Sequence, residues 1–191
     1  ASAGAIGTLT INSVKTITGN HAYQTTSASR PTFRDVAGLR YLEFDGVDDF
    51  LRATFAITQP IDRISALQQV TWTNGDQLFG GVSANAGVIY QTGASPILQM
   101  YDGAGGAANG GLAIGANGVV TERHDGASTR LAINANAYAT ANSGTTAPGG
   151  ITLGAANTSA FANIFFHQLI MRGSTTVFSD EEITLARLRC Q

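Results

Sequence analysis

The chain has 191 residues, of which only 13% are charged, and a formal net charge of -2, so neither a nucleic-acid-binding nor a membrane-binding basic face can be assembled from it. The apolar fraction of 43% is too high for disorder, and 23 glycines supply the turns of a many-stranded fold, so one domain over 1–191 is expected. Its apolar runs are too short to cross a membrane as a helix.

A first residue other than Met suggests processing or excision from a longer chain. Lys15 is the sole lysine, and Ser, Thr, Asn, Ala and Gly take many places where Lys and Glu are usual, a composition that suits an extracellular or particle surface. The single cysteine, Cys190, has no partner with which to form a disulfide.

In chain order, short alternating or β-branched segments recur between Gly, Asn, Asp and Pro, the pattern of an all-β sandwich. Strands are expected at 8–16, 40–44, 50–55, 63–72, 77–82, 87–91, 97–101, 112–114, 119–124, 129–134, 151–154 and 163–171. The last of these is apolar on both faces and should lie inside a sheet with a layer on either side. His167 within it is expected to be a hydrogen-bonded core histidine. Segments 102–111 and 142–150, built of Gly, Ala, Asn, Ser and Thr, are expected to be exposed, mobile loops. Alternation places Phe44, Phe50, Leu131, Ile133, Phe166 and Ile170 in the core. One short C-terminal helix is signalled by Ser179 at the N-cap, Glu182 three residues on, and Asp180 and Glu181 at the positive end of the dipole.

Residues 39 to 51 read Leu-Arg-Tyr-Leu-Glu-Phe-Asp-Gly-Val-Asp-Asp-Phe-Leu, a strand-turn-strand signature. Leu153-Gly154-Ala155, Phe161-Ala162-Asn163-Ile164 and Phe178-Ser179-Asp180-Glu181-Glu182-Ile183 follow in order, with Arg123-His124-Asp125-Gly126 between. Together these pieces resemble the concanavalin A-like lectin and glucanase family, the laminin G-like jelly rolls. Arg30-Pro31-Thr32 ahead of the signature is similar to members appended to structural proteins of tailed phages, prophages and gene-transfer particles. The resemblance implies an antiparallel two-sheet jelly roll.

Glucanases of this family carry Glu-x-Asp-x-x-Glu on one strand, and the nearest match here is Glu43, Asp45 and Asp48. Gly46 should break the strand at once and the third position is Asp, so the chain is expected to bind rather than to catalyse. Asp45, Asp48 and Asp49 are expected to cap backbone amides of the turn; the alternative is a calcium site, as in many relatives, and no other cofactor is expected. His21, His124 and His167 are too scattered in sequence to define a metal site or triad.

Sugar binding needs an exposed ring beside amide or carboxylate groups. Trp72, Asn74 and Asp76 form one such group, and Tyr90, Tyr101 and Asp102 another; the alternative for each ring is core packing. The leading expectation is a glycan-binding module on a virion or extracellular particle, recognising a bacterial surface polysaccharide and displayed in several copies or as a homo-oligomer. The rivals are structural decoration or cementing of a capsid or tail through contacts with particle proteins, and an endo-glycosidase.

Overall fold

The computed structural model describes residues 19–173 and 177–189, which form two antiparallel sheets packed face to face and one C-terminal helix. Strands β1 (Thr32–Val36), β2 (Leu39–Asp45), β4 (Ile61–Gln69), β9 (Asn117–His124), β10 (Thr129–Ile133), β11 (Ala139–Ala141) and β13 (Asn163–Gly173) make the seven-stranded sheet, in the order β1-β2-β13-β4-β9-β10-β11. Strands β3 (Leu51–Thr54), β5 (Gln77–Gly80), β6 (Val88–Gln91), β7 (Leu98–Tyr101), β8 (Gly105–Asn109) and β12 (Gly150–Leu153) make the other, in the order β3-β12-β5-β6-β7-β8. The strand expected at 8–16, and Cys190, lie outside the described residues.

Period-2 alternation determines what lies between the sheets. Phe44, Leu67, Phe79, Ile89, Leu98, Met100, Val120, Leu131, Ile133, Ile151, Ile164 and Phe166 form one buried cluster, with the rings of Phe79 and Phe166 edge to face at 5.7 Å. Phe44, Leu131, Ile133 and Phe166 are buried as expected, while Phe50 and Ile170 are only half-buried. Strand β13 has a layer on each side: Ile164 and Phe166 face the core, and beyond a bulge between Phe166 and Gln168 its Ile170 faces outward. There Ile170, Ile64 and Val119 meet Phe178, Ile183 and Ala186 of helix α1 (Asp180–Arg189). The helix starts as expected: Ser179 Oγ accepts the Glu182 N–H (3.2 Å), and Glu182 Oε2 accepts that of Ser179 (2.8 Å).

Four expectations need correction. Segment 102–111 is not a mobile loop, because 105–109 forms β8 on the edge of the six-stranded sheet. Its lack of side chains is what lets it dock, since a Cβ on Gly106 would lie 2.7 Å from Ser143 Cβ. Segment 142–150 is tethered too: the Asp102 and Ala104 N–H groups both donate to Ser143 O, and the Val82 N–H to Pro148 O. Residues 112–114 form no strand, although Leu112 is buried. His167 stands at the bulge on the outer face, half-buried beside the Tyr41 ring (5.5 Å), with Nε2 3.2 Å from Asn117 Oδ1.

Candidate functional site

The outer face of the six-stranded sheet carries the most suggestive recess. Inward positions of β6 and β7 go to Ile89, Gln91, Leu98 and Met100, which sends Val88, Tyr90, Gln99 and Tyr101 outward, with Val88 opposite Tyr101 and Tyr90 opposite Gln99. Tyr90 and Tyr101 line an open recess of about 190 Å³ with Gln77, Asn85 and Val88. Tyr90 is held in place, its hydroxyl donating to Gln99 Oε1 (2.5 Å) while Gln99 Nε2 donates to Gly106 O (3.0 Å). Asn85 reaches the rim from a left-handed backbone (φ 58°), which asparagine tolerates well. Gln77 Oε1 is shielded from solvent and has no hydrogen-bond partner within the described residues. A shielded acceptor left unpaired is costly.

The expected sugar ligands divide. Tyr90 and Tyr101 are brought together, but Asp102, one residue on, points inward and is 1% exposed. Its carboxylate accepts the Gly87 N–H (2.6 Å) and the Ser143 hydroxyl (2.7 Å) and lies 2.6 Å from His124 Nδ1, so it is not available to a sugar. Trp72 is half-buried, its indole N–H shielded and without a partner among the described residues. Asn74 Oδ1 accepts the Gly93 N–H (3.0 Å), bracing a turn. Burial raises the pKa of Asp76, and a hydrogen bond with the Thr73 side chain opposes that rise. None of these three lines the tyrosine recess.

Asp45, Asp48 and Asp49 do converge, with one oxygen of each within 4.8 Å of the others. Their contacts are those of turn caps. Asp45 Oδ1 accepts the Val47 N–H (2.8 Å), Asp49 Oδ2 accepts the Asp45 N–H (3.1 Å), and Asp48 Oδ2 accepts the Ser29 hydroxyl (2.9 Å). Gly46 has φ 77°, and a Cβ there would stand 2.9 Å from Asn163 Cβ, so the turn needs glycine. Glu43 is paired with Arg34 (2.5 Å), Asp45 is held in the turn and Asp48 is bonded to Ser29, so all three carboxylates that resemble the glucanase motif are engaged.

What sequence reasoning missed is a buried charged cluster at one end of the core. Arg63 and Glu122 occupy inward positions on β4 and β9, paired through Arg63 Nε and Nη2, and Glu122 Oε2 is 3.1 Å from His124 Nε2. Asp102 completes the group from the opposite sheet, backed by Ser143 and Thr129, whose hydroxyls are 2.7 Å apart. Two cations and two carboxylates balance if His124 is protonated. Burial, followed by the Arg63 charge, would lower the His124 pKa, but hydrogen bonds to Asp102 and Glu122 and the Asp102 charge outweigh them and raise it. Burial likewise acts to raise both carboxyls, yet Arg63 and His124 hold Glu122 below its ordinary value, and His124, Ser143 and Gly87 hold Asp102 below. The readable signal was the run of charged residues at period-2 core positions, Arg63 on one strand and Glu122 with His124 on another.

No protein-family model matches the chain, and no curated protein matches it in sequence. Among solved structures it is similar to a Trypanosoma rangeli sialidase in complex with sialic acid, at 13% identity and TM-score 0.54 over 78% of this chain and 28% of that one. The same sialidase with a difluorinated KDN derivative matches at 10% identity and TM-score 0.54, over 78% and 27%. The chain thus spans little more than a quarter of those proteins, and the likeness concerns the fold alone.

Proposed function

We propose that this is a non-enzymatic carbohydrate-binding module of the concanavalin-like jelly-roll kind, displayed on a phage-like particle, and that sugar binds in the Tyr90–Tyr101 recess. The observation that carries the reading is one recess lined by two aromatic rings and the amide side chains of Gln77 and Asn85. Ring faces pack against the C–H surface of a sugar, and amides sort its hydroxyls. Among the described residues no charged group lines the recess, so a neutral hexose-type residue is the fitting occupant, and binding should depend little on salt. A single small site binds weakly, and multicopy display on a particle raises the effective strength without new contacts.

The test is a glycan array with the isolated chain, repeated with Tyr90→Ala and Tyr101→Ala after checking that both fold. Retention of defined glycans by the parent, lost in both variants, supports the module. An empty array, or variants that bind like the parent, refutes it. A decoration role has its own supporting feature: among the described residues β1 is an edge of the seven-stranded sheet, exposed along its whole length, with Phe33 and Val36 on it and Leu39 opposite Val36. Such an edge suits contact with another protein.

A further inference from the structure

The charged cluster and the tyrosine recess share backbone. Arg63 Nη1 donates to Gly87 O (2.7 Å) and the Gly87 N–H donates to Asp102 Oδ1 (2.6 Å), so one glycine is clamped on both polar groups by opposite charges. Val88, which follows it, forms part of the recess, Asn85 two residues before it reaches the rim, and Tyr101 directly precedes Asp102. Three of the five lining residues therefore stand within two positions of an anchor of the cluster.

We propose that the protonation state of His124 sets the shape of the Tyr90–Tyr101 recess, so that the recess is formed while the buried cluster is neutral and loosens when His124 loses its proton. As regulation of sugar binding this rests on the recess being the binding site; the coupling to recess shape does not. The groups facing His124 are Arg63 from β4, Glu122 from its own strand, Asp102 from the end of β7 and, behind Asp102, the hydroxyls of Ser143 and Thr129. Asp62 and Arg123 pair with each other on the outer side of the same strands, and Asp125 lines a separate loop recess with Thr58 and Thr145. With the ring charged, Nδ1 donates to Asp102 and Nε2 to Glu122. With the ring neutral, Nδ1 keeps its proton toward Asp102 and Nε2 becomes an acceptor for Arg63 Nη2, which lies 2.7 Å away. Arg63 Nη2 already stands within reach of Glu122 and of His124 at once, so what changes is the charge: the Nε2–H bond to Glu122 is lost, and one cation is left against two carboxylates where solvent cannot reach them, which weakens the hold of the cluster on Gly87. Because the shift of His124 is upward, the recess is intact below the ordinary imidazole value of about 6.5 and loosens as pH rises through the higher folded-state value.

The experiment is NMR of the whole labelled chain without any sugar, following the His124 ring and the Gly87, Val88 and Tyr101 amides through a pH series upward from about 6, below the ordinary imidazole value, with hydrogen exchange at each point. The three amides are expected to shift with the midpoint of His124. Exchange at Gly87, corrected for its intrinsic pH dependence, should accelerate by about tenfold or more as its bond to Asp102 weakens. Amides far from the cluster, such as Leu153 and Ile164, should stay still. Glu122→Gln removes one of the charges that favour the protonated ring and should move the common midpoint down; His124→Gln should abolish it. A His124 titration that leaves the three amides unmoved, or that moves every core amide alike, overturns the coupling. So does a transition that persists in His124→Gln. If that variant does not fold, the parent and Glu122→Gln still decide the matter. An empty glycan array with these amides tracking His124 would sink the sugar reading and leave the coupling standing.

Discussion

Replacing Arg63 by Met tests the buried cluster most sharply. The Arg63 and Glu122 side chains are 3% and 0% exposed, so water cannot replace the lost partner. The arginine bonds Glu122 through two nitrogens and Gly87 O through a third, and its guanidinium lies 5.7 Å from the centre of the Phe79 ring. Met fills much of the stem volume but supplies none of those donors, so Glu122 is left as a buried charge with one cation fewer. Breaking a buried ion pair from one side costs about 3–5 kcal/mol. For a chain of this size that corresponds to a fall in Tm of about 6–20 °C. The assay is urea unfolding followed by Trp72 fluorescence, with a thermal scan alongside, on Arg63→Met, Glu122→Met and the double variant. Most of the cost is the orphaned partner rather than the net worth of the pair, so the double variant should be more stable than the sum of the singles predicts. A loss below about 1 kcal/mol in Arg63→Met, or strictly additive singles, would refute the account of the cluster as a mutually dependent unit.

Phe166→Ala should lose about 3–5 kcal/mol in urea unfolding, since its ring fills the close-packed interior against Phe79, and a loss under about 1 kcal/mol would mean that the site relaxes around the cavity. Gly154→Ala should destabilise by more than about 1 kcal/mol, because φ is 79° and the new Cβ would run into the Phe44 ring; a neutral outcome would refute the close approach. Stability against pH should show a plateau bounded on both sides. The lowered Asp102 and Glu122 contribute above their unfolded values of about 4, a contribution lost as pH falls through the folded ones; the raised His124 contributes below about 6.5, and that is lost as pH rises through its folded value. Denaturation midpoints that rise from neutral to alkaline pH would contradict the direction assigned to His124. Tyr101→Ala should leave the unfolding midpoint nearly unchanged, its ring being half-exposed on the outer face, while removing glycan retention.

The sequence by itself determined the class of the fold and most of its strands, because alternation is a local property: a strand such as 129–133 must turn Leu131 and Ile133 to the same side whatever it meets. It determined the C-terminal helix for the same reason, the capping box being completed by residues three apart. It also marked Tyr90 and Tyr101 as a pair. Tertiary structure alone decided which way Asp102 would face, since it follows a short strand where either direction is open, and only the arrival of His124 from a distant strand and of Ser143 from the segment after β11 gives its carboxylate an interior home. Segment 102–111 was misjudged on similar grounds: glycine and alanine bring little burial energy of their own, and an edge strand built from them forms because a neighbouring backbone approaches closely enough to need their smallness. Charge in a core reads as an error along one strand. It becomes a paired cluster only when residues 59 and 22 positions apart, Arg63 with Glu122 and Asp102 with His124, meet in the same buried place, which no local pattern encodes.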